Sequence, residues 1–259
     1  MFHGRLGLMR TAAGAVVGAS CLAAAACGGL TAETLRASSI ADPLAGQAGN
    51  KVLTVATANA EAAASLTING TVSQSGKSIT IDLGIKRGQG CAGTVGESGV
   101  GSMKLVVIGQ TLYMKPDTEF WKSVAGNAGD ASAVIALLGG RYLKLPADGG
   151  SAAGIGSICD VSKLLNSGAT PARATREPVS RLGGIRVLPL KLSDGSTEYV
   201  TDTSKPEFVE AFAPKGTHGG AGRASLSVGA PVRLTAPPPS QVIDGSKLGM
   251  TGSSVPSFI

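Results

Sequence analysis

The chain has 259 residues, 43% of them hydrophobic, 3% aromatic and 15% charged, with 38 glycines and a formal net charge of +6. Its Lys and Arg residues form no cluster, so the mild excess argues against specific nucleic-acid binding and suits a protein held near an anionic membrane face. The length supplies one sizeable core or two small ones, with an apolar mass built mainly from Ala, Val, Leu and Ile.

The first 26 residues read as a leader. Arg5 and Arg10 give a positive start, residues 11–26 form a short apolar run rich in Ala, Gly and Val, and Ala24-Ala25-Ala26 precede Cys27-Gly28-Gly29. This is the pattern of a bacterial lipoprotein signal. Cleavage before Cys27 leaves an amino-terminal cysteine whose thiol carries a diacylglyceryl group, and the charge falls by the two arginines, from +6 to +4. The alternatives are an ordinary secretory signal, an uncleaved anchor, and lipidation at Cys21. The apolar run is short and weakly hydrophobic for a spanning helix, and Gly18 fits poorly at the third position before Cys21. The expected location is the outer face of the cytoplasmic membrane, held by lipid.

Residues 27–50 read as a lipidated amino terminus and tether, with Thr31 to Thr34 as a helix start and Pro43 as a break. A helix is predicted over residues 51–64, where Val52, Val55, Ala56, Asn59, Ala62 and Ala63 share a face. The period then changes from 3.6 to 2. Strands are predicted at residues 66–72 and 79–86, joined by Ser75-Gly76-Lys77, and a meander continues through 91–97, 102–108 and 111–115. Short helices follow at 117–122 and 131–138, a strand at 141–145 and a helix at 159–165. Further strands are expected at 172–179, 185–192, 197–201, 208–213, 224–228 and 232–235, before Pro237-Pro238-Pro239 and a flexible Gly/Ser tail over 245–259.

Around ten strands with one apolar face each, facing one long early helix and a few small ones, predict an α+β fold: a single strongly curved antiparallel sheet wrapped around helices, which the family resemblance given below makes a half β-barrel covered on its concave face by helices. One domain over residues 51–244 is expected. A split near Gly149-Gly150 would place Cys91 and Cys159 on opposite sides of the boundary. With Cys21 removed and Cys27 lipidated, those two cysteines remain, and in an oxidising exterior they are expected to pair.

The chemical motifs searched for are missing or lack their setting. Gly88-Gln89-Gly90-Cys91-Ala92-Gly93 matches Gly-x-Gly-x-x-Gly but leads into Thr94-Val95-Gly96-Glu97 and not a helix, so nothing holds a pyrophosphate. There is no Gly-x-Ser-x-Gly elbow, His-Glu-x-x-His or P-loop, and after leader removal His218 is the sole histidine, in a Gly-rich turn. No catalytic residue, metal site or cofactor is assigned. Asn69-Gly70-Thr71 fits a glycosylation sequon and reads as a strand end.

Several stretches, in order, resemble a known family: the lipobox at Cys27, the helix running into residues 66–72, Cys91 to Val95, Gly109 to Lys115, Gly140 to Leu145, Tyr199-Val200 leading to Lys205-Pro206, and Pro231 to Pro237. The chain resembles the LolA/LolB-like fold lipoproteins, in particular the LppX/LprG type of actinobacteria. That resemblance implies a half-barrel whose interior holds acyl chains of a lipid or lipoglycan, and no catalytic motif. The few aromatics and many Ala and Gly depart from the family. Read from the residues, Ile79, Ile81, Leu83, Leu105, Val107, Leu112 and Met114 face inward; they either line an apolar concavity, where each buried methylene contributes about 0.8 kcal/mol, or pack on the 51–64 helix as a dry core. The first case makes the protein a monomeric, non-enzymatic lipid binder or carrier, with the membrane and an acyl-chain ligand as partners. The second makes it an envelope adaptor for a protein partner.

Overall fold

The structure is a computed structural model and describes residues 42–74, 76–125, 128–148, 150–165, 173–214 and 221–248, all within the unit Asp42–Ile259. Cys21, Cys27, His218, the leader and most of the tether and tail lie outside the described residues.

Helix α1 (Gly49–Ala62) buries Gly49, Val52, Ala56 and Ala60 at spacings of three and four, so one stripe faces the sheet. It starts two residues before the expected position, and the folded part begins earlier still, because Leu44 is 1% exposed. Six strands follow with one helix break: β1 (Ser65–Gln74), β2 (Lys77–Lys86), β3 (Gly90–Glu97), β4 (Gly101–Ile108), β5 (Thr111–Pro116) and β6 (Tyr142–Pro146). Their period-two alternation puts aliphatic side chains on one face and Thr, Ser, Asp and Lys on the other. Between β5 and β6 lie α2 (Thr118–Val124) and α3 (Ala128–Leu138); α4 (Gly150–Ser157) and α5 (Val161–Leu165) follow β6. The second meander runs β7 (Ala174–Arg176), β8 (Ser180–Leu182), β9 (Ile185–Leu192), β10 (Thr197–Thr201), β11 (Phe208–Ala213) and β12 (Ala221–Val228), and β13 (Val242–Asp244) comes last.

The thirteen strands of the described residues form one curved sheet in the order β13-β6-β5-β4-β3-β2-β1-β12-β11-β10-β9-β7, with β8 also on β9. The two meanders join where β1 pairs with β12. Every pair is antiparallel except β13 with β6, which is parallel. The α+β half-barrel is thus present, with three differences from expectation. The strand expected at 172–179 is two short ones, because Pro178 has no N–H to continue the ladder on β9. No strand forms at 232–235. Those residues run extended across the convex face, where Val232 lies 3.1 Å from the position a Cβ on Gly84 would take. Unexpected β13 takes their place at the far edge, followed by a 3-10 turn (Gly245–Leu248) with Gly245 buried, so the folded part continues past residue 244.

Two apolar cores sit on the concave face. One joins β1 to β6 with Phe120 and Trp121 of α2, Leu138 of α3, Ala152 and Ile155 of α4, and Val161 of α5. The other joins α1 and Leu44 to Leu188, Leu190, Val200 and Phe208 on β9 to β11. Leu165, Leu226 and Val228 touch both.

Candidate functional site: the concave trough

The strand register arranges the inward side chains in ranks that cross the sheet. The outermost rank carries Ala213, Gly222, Val72, Ile79 and Glu97. The second carries Leu190, Glu198, Ala211, Ala224, Gly70, Ile81, Val95 and Met103. The third carries Leu226, Ile68, Leu83, Gly93, Leu105, Met114 and Leu143. The fourth carries Val228, Leu66, Ile85, Cys91, Val107, Leu112 and Leu145.

All seven residues expected to face inward do share this face. They differ in depth. Leu83, Leu105, Val107, Leu112 and Met114 are 4% exposed or less, whereas Ile79 and Ile81 are only partly covered. The same partial cover holds for Val72, Ala211, Ala213, Gly222, Ala224 and Leu226. One end of the trough is therefore open, with a floor of small side chains on β1, β11 and β12. The other end is sealed by packing.

The cover over β1 to β6 is the helical insert, formed by α2 and α3 before β6 and by α4 and α5 after it. Asp117 caps α2: its Oδ1 accepts from the Phe120 amide at 2.8 Å, and its Oδ2 accepts from the Ser102 amide at 2.8 Å and the Ser102 hydroxyl at 2.7 Å. One carboxylate thus fixes the start of the insert to the start of β4. Phe120 and Trp121 meet edge to face, with centroids 5.4 Å apart. Helices α3 and α4 are built almost entirely from Ala, Gly, Ser, Val, Ile and Leu, and Leu137 is 51% exposed. The far end of the insert is bonded to the sheet, because Cys159, just before α5, and Cys91 on β3 form a disulfide.

A second fastening holds the residues that precede α1. Arg176 on β7 donates to the Leu44 carbonyl at 2.6 Å, the Gln47 carbonyl at 3.3 Å and the Asp42 carboxylate at 3.2 Å. Beside it, the fully buried Asp202 accepts from Arg186 Nε at 2.5 Å. Burial raises the Asp202 carboxyl above its usual range; Arg186 opposes this, and the neighbouring Asp42 adds to it.

Glu198 was not singled out by the sequence. Register on β10 places it in the second rank, paired with Leu190 on one side and Ala211 on the other, while the residue two further on, Val200, is fully buried. Loss of water raises its carboxyl to about 7, and the charge of Asp194 in the β9–β10 turn adds to the shift.

The clefts found among the described residues lie outside this trough. A cleft of about 390 Å³ lies beside the disulfide, bordered by Arg87, Gln89, Val107, Gly156, Asp160 and Ser162. Others sit on the convex face, around Asn69, Thr71 and Asp82, and at the rim near Ser98 and Ser102. Of the seven inward residues, Val107 borders the first and Ile81 one on the convex side. Among the described residues no group of three His, Cys, Asp or Glu could hold a metal, and no helix is long and apolar enough to cross a membrane.

No protein-family profile matches the chain, and no curated protein matches it in sequence. Among solved structures it is similar to LprF from Mycobacterium bovis, at 15% identity and a TM-score of 0.48, covering 73% of this chain and 96% of that one. It is also similar to the lipoprotein LppX from Mycobacterium tuberculosis, at 14% identity and a TM-score of 0.41, covering 72% and 98%. An uncharacterised protein from Thermus thermophilus follows at 8% identity and a TM-score of 0.34, covering 75% and 97%. At these identities the likenesses identify no site residue.

Proposed function

We propose that this protein is an extracytoplasmic lipoprotein, held on the outer face of the cytoplasmic membrane through acylated Cys27, that takes the acyl chains of an amphipathic lipid into the trough. The observation that carries the reading is the graded exposure of the inward ranks. Apolar Val72, Ile79 and Ile81 stay partly exposed beside a floor of Gly70, Gly222 and Ala224, and the third and fourth ranks behind them are apolar throughout. A chain laid on the open ranks removes aliphatic surface from water at about 25 cal/mol per Å². Deeper entry requires the insert to shift. Its helices α3 and α4 meet the sheet through aliphatic contacts, Val134, Ile135, Leu138, Ala152 and Ile155, and carry weak helix formers such as Gly and Ser.

The test is native mass spectrometry and organic extraction of protein purified from its own membranes. A stoichiometric lipid supports the reading, and a ligand-free protein that takes up no added lipid overturns it. Cys27→Ala should move the protein from the membrane to the soluble fraction, and unchanged retention would remove the anchor. The adaptor reading has one observation in its favour: Leu83, Leu105, Leu112 and Met114 are sealed in one packed cluster with Phe120, Leu138 and Ile155. A ligand-free result would leave that reading standing.

A further inference from the structure

Glu198 is the inward carboxyl of the second rank, one pair behind the open end. Its flanks along β10 are Ser196 and Val200, and its cross-strand neighbours are Leu190 and Ala211. Among the described residues it has no hydrogen-bond or ion-pair partner. The other charged groups of the face are engaged elsewhere. Arg176, level with Leu190, is taken up by Asp42 and the carbonyls of Leu44 and Gln47. Glu97 is bonded to Lys77 at the rim. Asp194 accepts from the amide and hydroxyl of Ser196, at 2.8 and 2.6 Å. On α1, Asn50 accepts from the Ala174 amide, and Lys51 is exposed; on α5, Lys163 pairs with Asp160 at 3.8 Å.

The buried side-chain oxygens left without a partner among the described residues belong to Asp202 and Glu210, so the half-buried Glu198 carboxyl still reaches solvent and is open to a ligand lying on the apolar face. We propose that Glu198 recognises the ligand's headgroup: its hydroxyl donates a hydrogen bond to an anionic phosphodiester oxygen of an amphiphile whose acyl chain lies over Ala224, Gly70, Ile79 and Ile81. This rests on the trough reading above. The small side chains of Ala211, Ala224 and Gly70 leave the chain a path from Glu198 toward β2. The carboxyl keeps its proton to about pH 7 and can therefore approach a phosphodiester without repulsion. Once ionised, it repels the same group.

Calorimetric titration of the purified protein with lysophosphatidylglycerol, below its critical micelle concentration, tests this at pH 6 and pH 8.5. The phosphodiester keeps its charge at both, and comparison with Glu198→Gln separates this carboxyl from any other group that titrates in the interval, His218 included. With a midpoint near 7 the protonated fraction falls from about 0.9 to about 0.03, so binding should weaken about 30-fold. Glu198→Gln, which keeps a donor and cannot ionise, should bind at pH 8.5 as tightly as at pH 6. Glu198→Ala should lose affinity at pH 6 for this probe but not for an alkyltrimethylammonium of the same chain length. Wild-type binding with no pH dependence, or a dependence that survives in Glu198→Gln, overturns the inference and leaves the trough reading intact. If neither probe binds at either pH, the trough reading falls and takes the inference with it.

Discussion

Cys159, at the foot of the helical insert, is bonded to Cys91 in the fourth rank of the sheet, with their Cα atoms 5.2 Å apart although they lie 68 positions apart in sequence. The pair closes the loop that contains β3 to β6 and the first three insert helices. The insert is therefore fixed at both ends, by Asp117 to Ser102 and by this crosslink.

Closing so long a loop constrains the unfolded chain, and the chain-entropy estimate for its length is about 4 kcal/mol. Replacing both cysteines with Ala should lower the unfolding free energy by about that amount in a denaturant titration. Thiol titration of the denatured, unreduced protein should find Cys91 and Cys159 unreactive.

The Asp117 cap makes a prediction that the one tryptophan can read, since Trp121 lies in α2 and is 8% exposed. Asp117→Ala removes a helix cap and leaves the Ser102 amide without its partner, a loss of about 2 kcal/mol. Burial raises the Asp117 carboxyl, but the bonds from Phe120 and Ser102 outweigh it and hold it below the ordinary carboxylate value. Its contribution is complete above that value and is lost as pH falls through the lower folded one. Trp121 fluorescence should show acid unfolding beginning at a higher pH in Asp117→Ala than in wild type.

Glu198 carries the opposite sign. Its folded value of about 7 lies above its ordinary value of 4.5, so the fold is less stable above pH 7 and gains stability as pH falls between the two. Glu198→Gln should stabilise the ligand-free protein at pH 8 by on the order of 2 kcal/mol, a figure reduced for the partial exposure of the side chain. The gain should vanish below pH 4.5, where wild type is already neutral. Thermal melts across this range check it.

Arg176→Ala should loosen residues 42–47 without unfolding the sheet, because Arg176 supplies their bonds to β7. Hydrogen exchange at the Leu44 and Gln47 amides, which bond within the same turn, should quicken at least about tenfold, while exchange in β2 to β4 stays unchanged.

The half-barrel was legible in the sequence because strands such as β2 keep aliphatic residues at every second position, and period two allows a single face assignment. Helix α4 was not. Gly-Ser-Ala-Ala-Gly-Ile-Gly-Ser has poor intrinsic propensity, and only the burial of Ala152 and Ile155 against the sheet explains it as a helix. The alternation Val232, Arg233, Leu234, Thr235 read as a strand, yet the prolines around it cannot donate to a ladder, and the segment packs on the outside of the sheet. Edge strand β13 has three residues, too few for any periodicity. The depth of Ile79 against Leu83, two positions apart in β2, depends on where the insert ends, which no local pattern records. Glu198 was hidden for a related reason, since in Thr197-Glu198-Tyr199-Val200 the aromatic and the aliphatic point to opposite faces, and the register with β9 and β11 decides which is inside.

The Pro-rich segment between β12 and β13 leaves the middle of the sheet, crosses its outer surface and ends hydrogen-bonded beside β6 at the margin. It acts as an outer strap. A path along the outside of a curved sheet lengthens as the sheet bends further, so a span stiffened by Pro231, Pro237, Pro238 and Pro239 limits how tightly the staves can close.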